Sequence, residues 1–198
     1  MRRAAAAALW LVAVGCASGS PRSDAYYRLE PAAPAALARP ALPGLLQVDR
    51  LRADVITAER LLLYRAGDAG LEVRRHAYHQ WVDSPTLMLQ VALAGALRGA
   101  GVAQTVVTSD QRARPDFVLA GRILHLERRL DGAPRALLEL ELSLTRERDR
   151  ALLLQRVYRE ERPAADAGVP AAVAAFDQAL AALVERLVAD LAGLAGAT

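Results

Sequence analysis

The sequence contains few of the residues on which most catalytic and metal sites depend. Among its 198 residues there are one cysteine, three histidines and 5% aromatic residues, and every one of the 25 basic residues is arginine. A single cysteine cannot form a disulfide within the chain. The sequence also lacks a G-x-S-x-G elbow, an H-E-x-x-H pair and a phosphate-binding P-loop. The run Gly99-Ala100-Gly101 follows a predicted helix and is typical of its end.

The histidines and paired carboxylates give weak functional signals. His76 and His79 are three residues apart in a segment that we do not predict to be helical, without the third and fourth ligands that zinc requires. We therefore interpret them as structural histidines, and His125 as a histidine on a sheet face. Glu139 and Glu141 share one face of a strand, which is compatible with acid–base chemistry. It is more typical of the solvated side of a sheet, and we predict no enzyme, no metal and no cofactor.

The overall charge gives no reason to expect a nucleic-acid ligand. The formal net charge is +3, from 25 basic and 22 acidic residues, and without Arg2 and Arg3 it becomes 23 against 22, or +1. The arginines are spread among acidic residues and are not interleaved with aromatic ones. We predict no nucleic-acid partner.

The first sixteen residues have the organisation of an export signal. Arg2 and Arg3 precede an apolar run that ends in Gly15 and Cys16, the only cysteine. The run is too short to span a bilayer, which takes roughly 20 apolar residues. The residues before Cys16 resemble a bacterial lipobox, although Ala13 replaces the usual branched residue. We predict cleavage between Gly15 and Cys16 and acylation (palmitate) of Cys16; the alternative is an ordinary signal peptide with a chance cysteine.

Three regions follow from this interpretation. Residues 1–15 are the signal peptide, residues 16–43 are a lipidated cysteine and a Pro/Ala-rich tether, and residues 44–198 are one folded domain. Prolines interrupt regular structure in the tether, so we predict a single short strand there, at Tyr26-Tyr27-Arg28-Leu29.

The rest of the chain predicts an α/β fold with two main helices on a mixed, largely antiparallel sheet. Ser84 or Asp83 caps the first helix, which starts at Pro85, and an apolar stripe of period 3.6 predicts a second over 171–194. Strict alternation over 136–145 predicts a strand with one buried face. Short connections join the last three strands into an antiparallel meander. The predicted strands span residues 45–51, 60–65, 71–75, 102–108, 116–126, 136–145 and 151–159.

Several short segments, taken in order, resemble the ABC-type transport auxiliary lipoprotein family, whose best-known kind is the Pqi-system lipoprotein. After the lipobox-like cysteine come Tyr26-Tyr27-Arg28-Leu29 and Leu62-Leu63-Tyr64-Arg65. Most of the resemblance lies in Tyr78-His79-Gln80-Trp81-Val82-Asp83-Ser84-Pro85 and the late Ala174-Ala175-Phe176-Asp177-Gln178-Ala179-Leu180. The sequence departs from the family at Asp177, where Asn is more usual.

The resemblance implies a periplasm-facing, non-catalytic lipoprotein that works with an ABC transporter and a protein carrying an MCE domain. The cargo would be phospholipid or another hydrophobic molecule moved between the two membranes. The implied fold is a three-layer sandwich like the anticodon-binding-like or TolB amino-terminal type. Ala17 after the anchor cysteine favours the outer membrane, because Asp at that position generally retains lipoproteins in the inner one. A homo-oligomer is compatible with these expectations.

The candidate partner contacts are Tyr26, Tyr27, Tyr78 and Trp81, since Tyr and Trp are frequent anchors of interfaces. Core packing is the alternative for each of them, and we favour it for Trp81.

A second function is also open, that of an outer-membrane lipoprotein regulating cell-wall synthesis or envelope assembly, because fold alone does not determine function. A periplasmic hydrolase would need His79 or Glu139 for activity, and we expect no such dependence.

Overall fold

The structure is a computed structural model that describes residues 23–67 and 71–194. The lipobox segment, with Gly15 and Cys16, therefore lies outside the described residues. The described part forms an α/β fold, as expected. Its elements in chain order are β1 (Ala25–Tyr27), β2 (Leu42–Val48), α1 (Val55–Ala58), β3 (Leu61–Arg65), β4 (Val73–Trp81), α2 (Pro85–Gly99), β5 (Ala103–Thr108), a short 3₁₀ turn (Ser109–Gln111), β6 (Phe117–Arg129), β7 (Arg135–Arg146), β8 (Ala151–Pro163) and α3 (Val169–Leu194).

The sheet is mixed and is organised around β6. One side of β6 pairs antiparallel with β7 along its length, and β7 pairs antiparallel with β8, so the predicted meander is confirmed. The other side of β6 is shared by two parallel neighbours: β2 at its start (Leu46 opposite Phe117) and β3 at its end (Leu63 opposite Glu127). β5 extends the sheet beyond β2, while β4 and then β1 extend it beyond β3.

The two long helices cover the apolar side of this sheet. The even-numbered residues of β7 from Ala136 to Leu144 are all fully buried, which confirms the predicted alternation. The helix α3 packs on β7 and β8 and also contacts α2. Its apolar stripe, predicted from the 3.6-residue period, is buried as well: Phe176, Leu180, Leu183, Leu187 and Leu191 are each no more than 1% exposed.

The helix α2 lies between β4 and β5 in the chain. β5 pairs in parallel with β2, but α1, β3 and β4 also lie between these two strands, so α2 is not a simple crossover from one to the other. Pro85 stands in the first turn, where a missing N–H costs nothing. Ser84 occupies the cap position, but its hydroxyl accepts a hydrogen bond from Arg50 Nη2 (2.7 Å) and does not bond the helix backbone.

Most of the predicted tether belongs to the packed domain. The strand β1 overlaps the predicted strand at Tyr26–Leu29 in two residues. Leu29 follows β1 and is 4% exposed. Leu37 donates its N–H to the Ala100 carbonyl (2.9 Å), and β2 begins at Leu42, before the expected boundary at residue 44. Prolines interrupt helices and strands but do not prevent burial. The apolar side chains between them therefore still pack against the rest of the domain. The folded unit extends back at least to Ala25.

Two further elements differ from expectation. β4 does not stop at residue 75 but continues through the histidines to Trp81, and its pairing with β3 shifts between Leu61–Gln80 and Leu63–Arg75. The short helix α1 was not predicted; Asp54 caps it by accepting from the Thr57 N–H (2.8 Å), and this bond lowers the pKa of Asp54.

Among the described residues, no helix combines the length and apolarity that crossing a membrane takes.

Candidate docking site at the β1–β4 edge

The strands β1 and β4 form one end of the sheet and carry all four predicted contact residues. β1 pairs in parallel with β4, with Tyr26 opposite Gln80 and Tyr27 opposite Trp81. The Val82 N–H continues this pairing by donating to the Tyr27 carbonyl (2.9 Å). Within the described residues, β1 is the last strand on this side. An edge strand offers backbone groups that a partner strand can pair with.

Two tyrosines on these strands are exposed. Tyr26 is 54% exposed and Tyr78 is 41% exposed. The guanidinium of Arg60 lies 5.7 Å from the centre of the Tyr26 ring, while its Nε donates to the Trp81 carbonyl (3.0 Å). This cation–π contact restrains the ring on the surface. Tyr26 and Tyr78 therefore keep their interpretation as candidate contacts.

The other two predicted residues point into the fold. The Tyr27 hydroxyl is 2.9 Å from Nδ1 of His79, and Tyr27 is only partly exposed. Trp81 is 1% exposed and packs edge-to-face against Phe176 of α3, with ring centres 5.8 Å apart. A partner cannot reach Trp81 while α3 is in place, so its interpretation as a contact is wrong and core packing, which we favoured, is its role.

A polar cluster beneath this edge was not predicted. Nη1 of Arg128 lies 2.6 Å from Nε2 of His76, and Nη2 donates to the Ala167 carbonyl (2.5 Å) just before α3. The His76 ring also stacks on Tyr64, with centres 4.5 Å apart, and meets His79 edge-on at 5.4 Å. Arg128 is only 2% exposed. The arginine thus joins β4 to the segment that leads into α3.

The electrostatics require a neutral His76. Burial, followed by the charge of Arg128 and the neighbouring His79 ring, lowers the pKa of His76 to about 4. At neutral pH its Nε2 is therefore free to accept from Arg128. Burial also lowers the pKa of Arg128. Nothing in the sequence marks this residue, because Glu127-Arg128-Arg129 looks like an ordinary charged surface.

The remaining groups considered for chemistry are engaged in structural contacts. Glu139 binds Nη1 of Arg159 (2.6 Å), and Glu141 accepts from an amide on β8 (3.3 Å). Nδ1 of His125 lies 3.6 Å from the carboxylate of the buried Glu127. Across residues 23–67 and 71–194, no three His, Cys, Asp or Glu side chains are grouped to hold a metal ion. The geometry brings together no pair suited to catalysis among these candidates.

The fold defines a small α/β domain with an edge strand beside two exposed tyrosines. The chain belongs to the ABC-type transport auxiliary lipoprotein component family, whose sequence profile matches residues 27–188. This span includes β3, β4, α2, the meander and most of α3, and it confirms the family resemblance.

Solved structures share the fold. A Xanthomonas campestris protein of the DUF330 family has 23% identity and a TM-score of 0.72, over 83% of this chain and 92% of that one. A hypothetical protein of Chlamydia trachomatis has 10% identity and a TM-score of 0.51, over 79% of this chain and 100% of the other. No curated protein matches the chain.

Proposed function

We propose that this protein is a lipid-anchored, non-catalytic auxiliary subunit of an ABC/MCE-type transport system that moves lipids or other hydrophobic molecules between the inner and outer membranes. The family match over residues 27–188 is the observation that carries the proposal. The export signal and Gly15-Cys16 support an acyl anchor, and Ala17 supports the outer membrane. Each buried methylene of an acyl chain contributes about 0.8 kcal/mol, so two or more chains hold a protein stably.

The short distance from anchor to domain supports a role close to the membrane. Among the described residues β1 is the first element, and eight residues lie between Cys16 and Ala25. A fully extended chain covers about 3.3–3.6 Å per residue, so these residues reach roughly 30 Å at most. The β1–β4 edge is the first part of the domain after the anchor. In this proposal it docks on the transport partner.

The edge has the chemistry for such docking. β1 can pair its outer backbone with a partner strand, while Tyr26 and Tyr78 offer aromatic surface beside it. Arg60 holds Tyr26 in place, which reduces the entropy lost on binding. The polar cluster around Arg128 ties β4 to α3 and gives this edge a rigid base.

Membrane fractionation with affinity purification tests the proposal. The full chain, tagged at its C-terminus, should fractionate with outer membranes and recover an ABC subunit or an MCE-domain protein. Cys16→Ser should leave the membrane fraction. Ala17→Asp is the matched control, because it keeps the anchor cysteine and should only move the protein to the inner membrane.

The same experiment separates this proposal from its alternative. Recovery of cell-wall synthases in place of transporter subunits favours a regulator of cell-wall synthesis or envelope assembly. Equal membrane association of wild type and Cys16→Ser contradicts the acyl anchor. Self-association of the chain, which stays a prediction, is measured on the same purified material by its mass in solution.

A further inference from the structure

An open cleft lies on the side of the sheet opposite the buried leucines. It has a volume of about 660 Å³ and crosses the middle of β6, β7 and β8 next to the segment after β2. Arginines line it together with the hydroxyl and amide side chains of Ser109, Ser143 and Gln155. The cleft is separate from the β1–β4 edge and has no role in the function proposed above.

Two of the lining arginines are placed side by side by the backbone. The Arg52 N–H donates to the Gly121 carbonyl (2.9 Å), and its carbonyl accepts from the Ile123 N–H (2.8 Å). This makes a one-residue parallel bridge between Arg52 and Arg122. Bridge partners project their side chains to the same face, and like charges in that position repel. Both side chains are exposed.

This pair differs from the other arginines of the meander. Arg146, Arg156 and Arg159 each form an ion pair with a carboxylate at 2.8 Å or less. Across the described ranges 23–67 and 71–194, the side chains of Arg52 and Arg122 have no hydrogen bond or ion pair. Within those ranges, the two arginines stand opposite each other on the backbone and neither is held in an ion pair.

The carboxylates of the cleft are directed elsewhere. Glu141 stands opposite Arg122 in the β6–β7 pairing, but its Oε1 accepts from Gln155 on the far strand (3.3 Å). Asp49 accepts from Gln47 (2.7 Å). Hydrogen bonds from neutral amides leave both acids charged, but within the described residues neither acid forms an ion pair with Arg52 or Arg122.

We infer that Arg52 and Arg122 form a binding site for a phosphate group. Guanidinium groups bind phosphate oxygens through paired, charge-assisted hydrogen bonds. Two arginine side chains on one face of the sheet, neither engaged in an ion pair among the described residues, suit an anionic ligand. The hydroxyl of Ser143 lies on the same face, two pairs along the β6–β7 ladder, where it donates a long hydrogen bond to the Ala120 carbonyl (3.5 Å). The phosphate can come from a lipid headgroup or from free phosphate.

Calorimetric titration tests the inference on the full-length protein in a non-ionic detergent. The probes are inorganic phosphate and glycerophosphoglycerol, the water-soluble phosphodiester of a lipid headgroup. The variant Arg52→Gln/Arg122→Gln should bind at least about tenfold more weakly, because charge-assisted hydrogen bonds are lost. Arg39→Gln/Arg114→Gln is the matched control: both residues are exposed, the net charge changes equally, and neither lines the cleft.

The outcomes separate clearly. Loss of binding in the cleft variant alone supports the site, and the tighter of the two probes identifies free phosphate or headgroup as its source. Similar circular dichroism spectra of the variants exclude misfolding as the cause. Binding that is equal in both double variants, or no binding of either probe by the wild type at millimolar concentrations, overturns the inference. These results do not depend on whether the protein joins a transport system.

Discussion

The indole of Trp81 and the ring of Phe176 meet edge-to-face, with their centres 5.8 Å apart and their planes at 69°. The two residues come from the two segments that carry most of the family resemblance. Next to Phe176, Asp177 accepts a hydrogen bond from the Glu30 N–H (2.7 Å). These motif residues therefore join the end of β4, the segment after β1 and α3 into one packed unit. Their role is structural.

The Trp81–Phe176 contact predicts a large effect on stability. Trp81→Ala should lower the free energy of unfolding by about 3–5 kcal/mol, because it leaves a cavity in a fully buried site. Trp81→Phe should cost less, since it keeps an aromatic ring there. Tyr26→Ala is the exposed control and should change stability by no more than about 0.5 kcal/mol. Urea unfolding measures all three, and equal effects of Trp81→Ala and Tyr26→Ala contradict the packing role.

Replacing Asp177 by Asn should reduce the stability of the fold less than replacing it by Ala. Burial raises the pKa of Asp177, so above its unfolded-state pKa the ionised carboxylate opposes folding, and this penalty disappears as pH falls. Asp177→Asn keeps an acceptor for Glu30 without the charge, and at pH 7 it should match or exceed the wild type in thermal stability. Asp177→Ala should lose about 0.5–1.5 kcal/mol with the hydrogen bond. Calorimetric melting checks both, and a less stable Asn variant contradicts the explanation.

Gly44 should be hard to replace. It has a φ of +99°, and an added Cβ would lie 2.1 Å from Oδ2 of Asp116, which binds the Leu45 N–H (2.7 Å). Gly44→Ala should destabilise the protein by about 1–3 kcal/mol through backbone strain alone, with further loss from this clash. Gly95→Ala in α2 has open space around it and should stabilise by about 0.5–1 kcal/mol. Urea unfolding measures both free-energy changes. Two substitutions that change stability in the same direction would contradict this explanation.

The buried cluster predicts a pH dependence of stability. Since the pKa of His76 falls from 6.5 to about 4 on folding, the unfolded chain takes up a proton first. Stability is therefore complete above about pH 6.5 and decreases as pH falls toward 4. Between pH 7.5 and 5 this term should remove about 1 kcal/mol, allowing for solvent screening of the half-buried ring.

His76→Gln isolates that term. Its side-chain oxygen can still accept from Arg128, while His79 and Tyr64 remain around it, but it does not titrate. The variant should lose less stability than the wild type between pH 7.5 and 5 in urea unfolding. The same loss in both proteins would falsify the assignment.

Elements with strong local patterns were predictable from sequence. The alternation in β7 and the apolar stripe of α3 follow from burial of a single face, which leaves a period of 2 or 3.6 residues. The start of α2 was also predictable, because Pro85 suits only the first turn. These features depend on neighbours close in the chain.

Features that depend on distant parts of the chain were not predictable. The burial of Leu29 depends on surfaces formed far along the chain, and prolines around it suggested a tether. Arg128 is buried only because residues from β4 and the loop before α3 close over it. The adjacency of Arg52 and Arg122 likewise arises from one backbone bridge between segments 70 residues apart. No local period encodes such contacts.

Site-specific photo-crosslinking in membranes tests the docking proposal most directly. A photoreactive phenylalanine replaces Tyr26 in the full chain, and the control position is Val157, which is 45% exposed on β8 at the far side of the sheet. We predict that position 26 crosslinks to an ABC-transporter subunit or an MCE-domain protein and that position 157 does not. Crosslinks to such a subunit from position 157 alone, or from neither position in membranes that contain the transporter, would contradict the account.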